Sequence, residues 1–281
     1  MNRDERRGII RLVRELGAEV LVSVPDHVPL SKQQRALRRT SIEEQVATCE
    51  LCELRAGCNQ PVVPRWPGIT GKAHVTVVGE SPTVDDDRKS LAFSGRVGRL
   101  MRDGLTTAGI SAEDCAYMYV TACRAHLEDM PRPPSVREMA HCRDNLLQSI
   151  SAADSKYLLL MGASAVRAWR SDVRLGDVAG RLFIWRGRFV WPMFSVQAVI
   201  RGTFPVRDWR TQLAQFGQIV ADDAGVDALY PSCIECGESV YGYDIDGLPW
   251  CAEHLASHVA SATTQDAGWA KHQVNQQTLG L

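Results

Sequence analysis

Short apolar runs recur through the middle of the chain, and stretches with helical spacing separate them. "AHVTVVGE" (73–80) is β-branched and ends in Gly-Glu, which predicts a buried strand. "AYMYVTA" (116–122), "KYLLLMGA" (156–163) and "RFVWPMF" (188–194) predict three more. Between them, "GRVGRLMRDGLTTAGI" reads as a helix with a glycine at its end. "SVREMAHCRDNLLQSI" reads as a helix capped by Ser135, with Glu138 completing a capping box. "ASAVRAW" begins a short helix, and "VRDWRTQLAQFGQIVADD" closes the series. Strands alternating with helices predict a three-layer α/β/α fold around a central four-stranded, mainly parallel sheet. Ligands of such sheets sit beyond the carboxyl ends of the strands, where Gly79, Glu80, Cys123, Gly162 and Ser195 fall.

The flanks follow other patterns. "RRGIIRLVREL" spaces Ile9, Leu12, Val13 and Leu16 as one helical face, and "VSVPDHVPLS" breaks it with two prolines. "SIEEQVATCELC" predicts a second helix starting at Ser41, with Glu44 as its capping-box partner. After Asp223 the rhythm stops, and the segment from Ser257 is polar and expected to be disordered. The expected organisation is a helical extension (1–45), an α/β domain (46–224), a small module (230–256) and a polar tail (257–281).

Composition adds limits. Hydrophobic residues make up 45% and charged residues 23%, ordinary for a globular protein. No apolar run reaches the roughly 18–20 residues that span a bilayer, and the charged start lacks a signal-peptide core. A cytoplasmic protein with no membrane association, acting as a monomer, is the expectation. Formal net charge is −1, so overall charge does not announce a nucleic-acid binder. From Gly162 to Arg210, however, nine arginines face only Asp172, Asp177 and Asp208. That local excess suits either phosphate binding or a solvated surface.

Nine cysteines in a chain expected to be intracellular point to metal rather than disulfides. Cys233, Cys236, Cys251 and His254 supply three thiolates and an imidazole, the donor set of a closed structural zinc site. Between them, "VYGYDIDGLPW" carries the turn dipeptide Asp246-Gly247, so a zinc ribbon built on a hairpin is predicted. Binding DNA, binding a protein partner and capping the domain remain open as its use. Cys49 and Cys52 form a second Cys-x-x-Cys, which alone serves redox, zinc or iron–sulfur chemistry. Cys123 and Cys142 bracket a polar, proline-rich loop, and four thiolates from two distant segments suit a [4Fe–4S] cluster. Cys58 and Cys115 remain, as buried free thiols or, for Cys58, as a replacement ligand.

The ordered motifs "CELC", "PVVPRWPG", "VVGESPT", "AFSGRVGRLM", "ACRAHLEDMPRPPSVREMAHC" and "MGASAV" carry a family resemblance over about residues 46–215. The chain resembles the iron–sulfur uracil-DNA glycosylases, often called family four, of the uracil-DNA glycosylase superfamily. The resemblance implies DNA as partner and hydrolysis of the N-glycosidic bond of uracil or a modified pyrimidine. It implies that Cys49, Cys52, Cys123 and Cys142 hold the cluster. Gly79, Ser81, Pro82 and Gly95 would wall the base pocket, Phe93 would stack on the base, and Glu80 would position water or stabilise the sugar cation. Arg96, Arg124 and Arg201 would face DNA.

Two positions depart from the family pattern. Tyr119 stands where the family reads uracil with Asn, and Ser195 stands where a His stabilises the leaving base. A phenol offers one hydroxyl where an amide offers a donor and an acceptor. Serine donates a hydrogen bond but supplies no imidazole, and loss of such a donor costs roughly 10²–10³ in rate. His126 and His141 are the nearby imidazoles, with surface roles as their ordinary reading. Three functions therefore stand side by side: an active glycosylase of altered specificity, a relative that binds DNA or a flipped base without cleaving it, and a metal-stabilised interaction module.

Overall fold

The computed structural model describes residues 19–20, 30–68, 71–128, 130–185, 188–221, 242–243 and 249–250. The chain divides into two compact units, residues 27–183 with 188–223, and residues 1–26, 184–187 and 224–281. Among the described residues no helix is long and apolar enough to cross a membrane.

The larger unit is built on four parallel strands: β1 (Val75–Gly79), β2 (Cys115–Tyr119), β3 (Tyr157–Met161) and β4 (Arg188–Met193). β1 pairs with both β2 and β3, and β3 pairs with β4, which gives the order β4-β3-β1-β2. Every residue of these strands is buried. That explains their continuous apolar runs, since a parallel sheet covered on both faces has no solvent side to alternate with. Among the described residues, the helices around the sheet include α1 (Lys32–Ala47), α2 (Val84–Lys89), α3 (Arg96–Thr107), α4 (Val136–Ala153), α5 (Ala163–Trp169), α6 (Val196–Ile200) and α7 (Val206–Ala221), with single turns at Leu54–Gly57 and Leu175–Val178. The α/β architecture and all four strands follow the sequence pattern. A short strand, Phe183–Trp185, and helix α2 were not anticipated.

Helix α1 differs from expectation at its start. It begins at Lys32, and Ser31 caps it with Gln34 as the reciprocal partner. Ser41 lies in its interior. "KQQRALRRT" is rich in good helix formers, so the helix extends upstream of the Ser41–Glu44 pattern to the earlier box. The added turns carry Arg35, which pairs with Asp154 at 2.9 Å, and Arg39, which donates to the carbonyls of Ala152, Gly68 and Gly71. Burial, with Arg35 nearby, lowers Arg39 to about 10. Ile42 and Val46 pack with Ala152 of α4, and Trp66 covers the seam while donating to Glu43.

Helix α4 starts as expected, with Ser135 and Glu138 forming a capping box. Glu138 also receives two hydrogen bonds from Arg132, at 2.8 and 2.5 Å. In the smaller unit, Gly242–Tyr243 pairs antiparallel with Pro249–Trp250, as the expected hairpin requires. Cys233, Cys236, Cys251 and His254 lie outside the described residues, as do the helix expected near the start and the polar tail.

The Arg132 hydrogen bonds hold the Glu138 carboxyl near 2, below its ordinary 4.5. A depressed carboxylate stabilises the fold fully above 4.5, and that stabilisation fades as pH falls toward 2. Glu138→Gln is expected to cost about 0.5–1 kcal/mol at pH 7, a value reduced for the solvent around Arg132. Urea melts of both proteins at pH 7 and pH 3 check it, since the gap must narrow at the lower pH.

Candidate functional site

Because both faces of the sheet are covered, open chemistry is confined to its carboxyl edge. A cavity of about 340 Å³ lies there, lined by Glu80 to Asp85, by Arg96, Arg124, Arg132 and Arg201, and by Gln197. Arg96, Arg124 and Arg201, singled out from sequence, thus share one cavity. The wider arginine excess does not form one face. Arg188 is buried and donates to the Ser155 carbonyl, while Arg170 pairs with Asp172 at 2.6 Å.

The loop after β1 is fixed by the backbone around it. Glu80 accepts from the Ser164 amide at 2.9 Å. Its carboxylate lies against Gly162, where an added Cβ would approach to 2.4 Å; the φ of +100° there also favours glycine. Ser81 is buried and accepts from the Ala125 amide at 2.9 Å, joining this loop to the one that carries Cys123. Gly95 caps α3 and has no room for a side chain beside Asp85.

Phe93 is only 2% exposed, yet its φ is +53°, rare for an aromatic residue. Arg102 donates to its carbonyl at 2.7 Å, and Gly98 lets α3 pass close to the same peptide. The Phe93 ring stacks on Tyr119, with centroids 4.7 Å apart and planes 5° from parallel. Tyr119 lies across from Gly79 in the β1–β2 register. A Cβ on Gly79 would come within 2.7 Å of the Tyr119 ring and 2.9 Å of Phe93. The Tyr119 hydroxyl donates to Asp86 at 2.8 Å. Asp86, 1% exposed, also accepts from the backbone and side chains of Thr83 and Ser94. Burial, and then the Asp86 charge, push the Tyr119 phenol well above its usual value, so it stays protonated.

Ser195 caps α6, its hydroxyl oxygen accepting from the Ala198 amide at 3.4 Å. His126 engages the Gly57 carbonyl at 2.7 Å, a structural role. Sequence reasoning missed Asp86. Its signal was the Thr83-x-x-Asp86 capping box within an acidic run that otherwise reads as a solvated helix start.

The early cysteines come together. Cys58, Cys123, Leu54 and Ala125 form one buried cluster, with Cys52 packed against it. Cys58 donates to the Arg55 carbonyl at 3.6 Å, and the close approach of Cys58 and Cys123 lowers Cys58 to about 7 and raises Cys123. Cys52 and Cys142 both act electrostatically on Cys123, and Cys49 and Cys52 act on Cys142. Burial raises Cys142 to about 11. Asn145 of α4 donates to the Cys49 sulfur at 3.9 Å and is itself bonded to Gln45 at 2.7 Å. Cys115 stands apart, a buried thiol in β2 raised to about 12 by burial. Among the described residues no three His, Cys, Asp or Glu side chains converge on a point that would hold a single ion.

The chain is 28% identical over 163 residues to the Type-4 uracil-DNA glycosylase of Thermotoga maritima, covering 57% of this chain and 82% of that protein. It is 28% identical over 127 residues to the protein of the same name from Archaeoglobus fulgidus, covering 45% and 60% of the two chains. The Pyrobaculum aerophilum protein of that name is 26% identical over 147 residues, covering 50% and 72%. The family model described as Uracil DNA glycosylase superfamily matches residues 67–216, from the loop before β1 into α7. With more than half of its length in that match, the chain belongs to the uracil DNA glycosylase superfamily.

Proposed function

We propose that this protein is a uracil-DNA glycosylase-like enzyme that hydrolyses the N-glycosidic bond of uracil or a modified pyrimidine in DNA. The observation that carries the reading is Phe93. Its left-handed backbone is held by Arg102 and Gly98, and its ring packs against Gly79, the residue before Glu80. Strain of this kind persists where surrounding structure over-determines it, and it clusters at working sites. Relatives named Type-4 uracil-DNA glycosylase support the reaction class.

In this reading Arg96, Arg124 and Arg201 hold DNA phosphates beside a nucleotide turned out of the stack. Gly79, Ser81, Pro82 and Gly95 wall the slot, and Phe93 is the stacking ring at its inner end, covered in this chain by Tyr119, so the base is met in the cavity beside Glu80. Cleavage leaves the bonding electron pair on the base and a positive charge on the sugar, and water then attacks the sugar. Glu80, fixed by the Ser164 amide, stabilises that charge and orients the water. Ser195 spends a lone pair on the Ala198 amide and keeps its proton to donate toward the departing base.

Cys49, Cys52, Cys123 and Cys142 are proposed as ligands of a [4Fe–4S] cluster. Their sulfurs fit in kind and neighbourhood, and a cluster takes one thiolate per iron rather than four on one ion. When bound, it would cross-link the segment after α1 to the Cys123 loop and α4. Cys233, Cys236, Cys251 and His254 are proposed as a zinc set from their spacing, with the Gly242–Tyr243 and Pro249–Trp250 pair between them.

A second reading, a relative that binds DNA without cleaving it, is favoured by two observations. Ser195 serves as a helix cap, and Tyr119 lies on the Phe93 ring.

Incubation with uracil-containing single- and double-stranded oligonucleotides, followed by alkaline cleavage, decides between the readings. Excision that falls at least about 100-fold in Glu80→Gln supports the enzyme. Intact substrate that is still shifted on a gel supports the non-cleaving relative. Binding must weaken with salt, and replacing a phosphate-contacting arginine such as Arg201 should reduce the logarithmic slope by about one. Anaerobically purified protein is expected to carry about four irons and four sulfides, and Cys142→Ser should lose most of them.

A further inference from the structure

The base slot of the proposed site already has an occupant. Tyr119 presents a flat six-membered ring to Phe93, nearly parallel at 4.7 Å, which is the arrangement an extruded pyrimidine would take. The ring lies over Gly79, whose missing side chain makes room for it. The hydroxyl ends on Asp86, whose carboxylate accepts five hydrogen bonds, from Tyr119 and from the backbone and side chains of Thr83 and Ser94. The arginine-lined cavity therefore opens beside Glu80 and Pro82 but has neither Phe93 nor Tyr119 in its lining. Tyr119 is 8% exposed and Phe93 2%.

We infer that Tyr119 is a specificity-determining residue, a built-in plug that keeps uracil off Phe93. The inference rests on the proposal that Phe93 is the base-stacking ring. The network around Asp86 makes the plug a fixed part of the site, because moving the ring leaves a buried carboxylate short of one donor. A base reaching this site in the native chain stops in the outer cavity, against Glu80 and the arginines. Tyr119 thus limits access to uracil, while the surrounding scaffold keeps the shape of the slot.

Isothermal titration of the full-length protein with free uracil tests this without requiring catalysis. Wild type is expected to show no Phe93-dependent binding at millimolar uracil. Tyr119→Ala removes the ring and is expected to bind at least tenfold more tightly. Tyr119→Phe keeps the ring over Gly79 but removes the donor to Asp86, so it should still exclude uracil from Phe93 while melting at a lower temperature than wild type. Adding Phe93→Ala to Tyr119→Ala should erase the gain. If Tyr119→Ala melts below the assay temperature, Tyr119→Leu, which keeps an apolar side chain over Gly79, is expected to show a smaller gain. Equal affinities for wild type and the opened variants would overturn the plug, as would wild-type uracil binding that Phe93→Ala removes. A gel shift of each variant with a uracil-containing oligonucleotide separates the two levels. No DNA binding by any protein rejects the DNA reading and leaves the slot measurement standing.

Discussion

The constraint that organises this molecule is the burial of a parallel sheet on both faces. Once β1 lies between β2 and β3 with every residue covered, neither face can carry polar chemistry. What polar function the unit has must be displayed where the strands end. The loops there are held to one another rather than left to solvent: Ser81 bonds the Ala125 amide, Glu80 bonds the Ser164 amide, and Tyr119 reaches Asp86. Two of these three bonds are to backbone amides, which do not swing as side chains do.

The sheet was legible because burial leaves a plain trace. "YLLLM" is a run of large apolar residues and "VTVVG" is broken only by Thr76, whose hydroxyl is paired with Ser155; both are too short for a helix. The α4 cap was legible because Ser135 and Glu138 act across one turn. The start of α1 was not, because two capping-box patterns compete ten residues apart. The buried contacts of Arg35 and Arg39 with distant carbonyls and Asp154 support the earlier one. Local sequence cannot report partners more than a hundred residues away.

The candidate site divides in the same way. Its residues could be chosen by motif, and the structure brings Glu80, Ser81, Pro82, Arg96, Arg124 and Arg201 to one cavity. What the motif could not convey was the use of each group. Tyr119 could be seen as a substitution, but its ring position depends on a carboxylate 33 residues away and on the unusual backbone of Phe93. Ser195 could be seen as a lost imidazole, whereas its capping bond to Ala198 requires knowing that a helix starts there. Cys58 was left open between a buried thiol and a replacement ligand, and the structure packs it in one cluster with Cys123.

Helix α1 is anchored along its length by other protein groups. Arg35 is paired with Asp154, Arg39 grips three carbonyls, Gln45 holds Asn145, and Ile42 and Val46 are packed against Ala152. All of these are contacts between protein groups, and they fix the helix that ends just before Cys49. The sulfurs at the end of this helix are thus delivered by folding itself. A centre bound by those sulfurs would be positioned through protein contacts that do not themselves touch it.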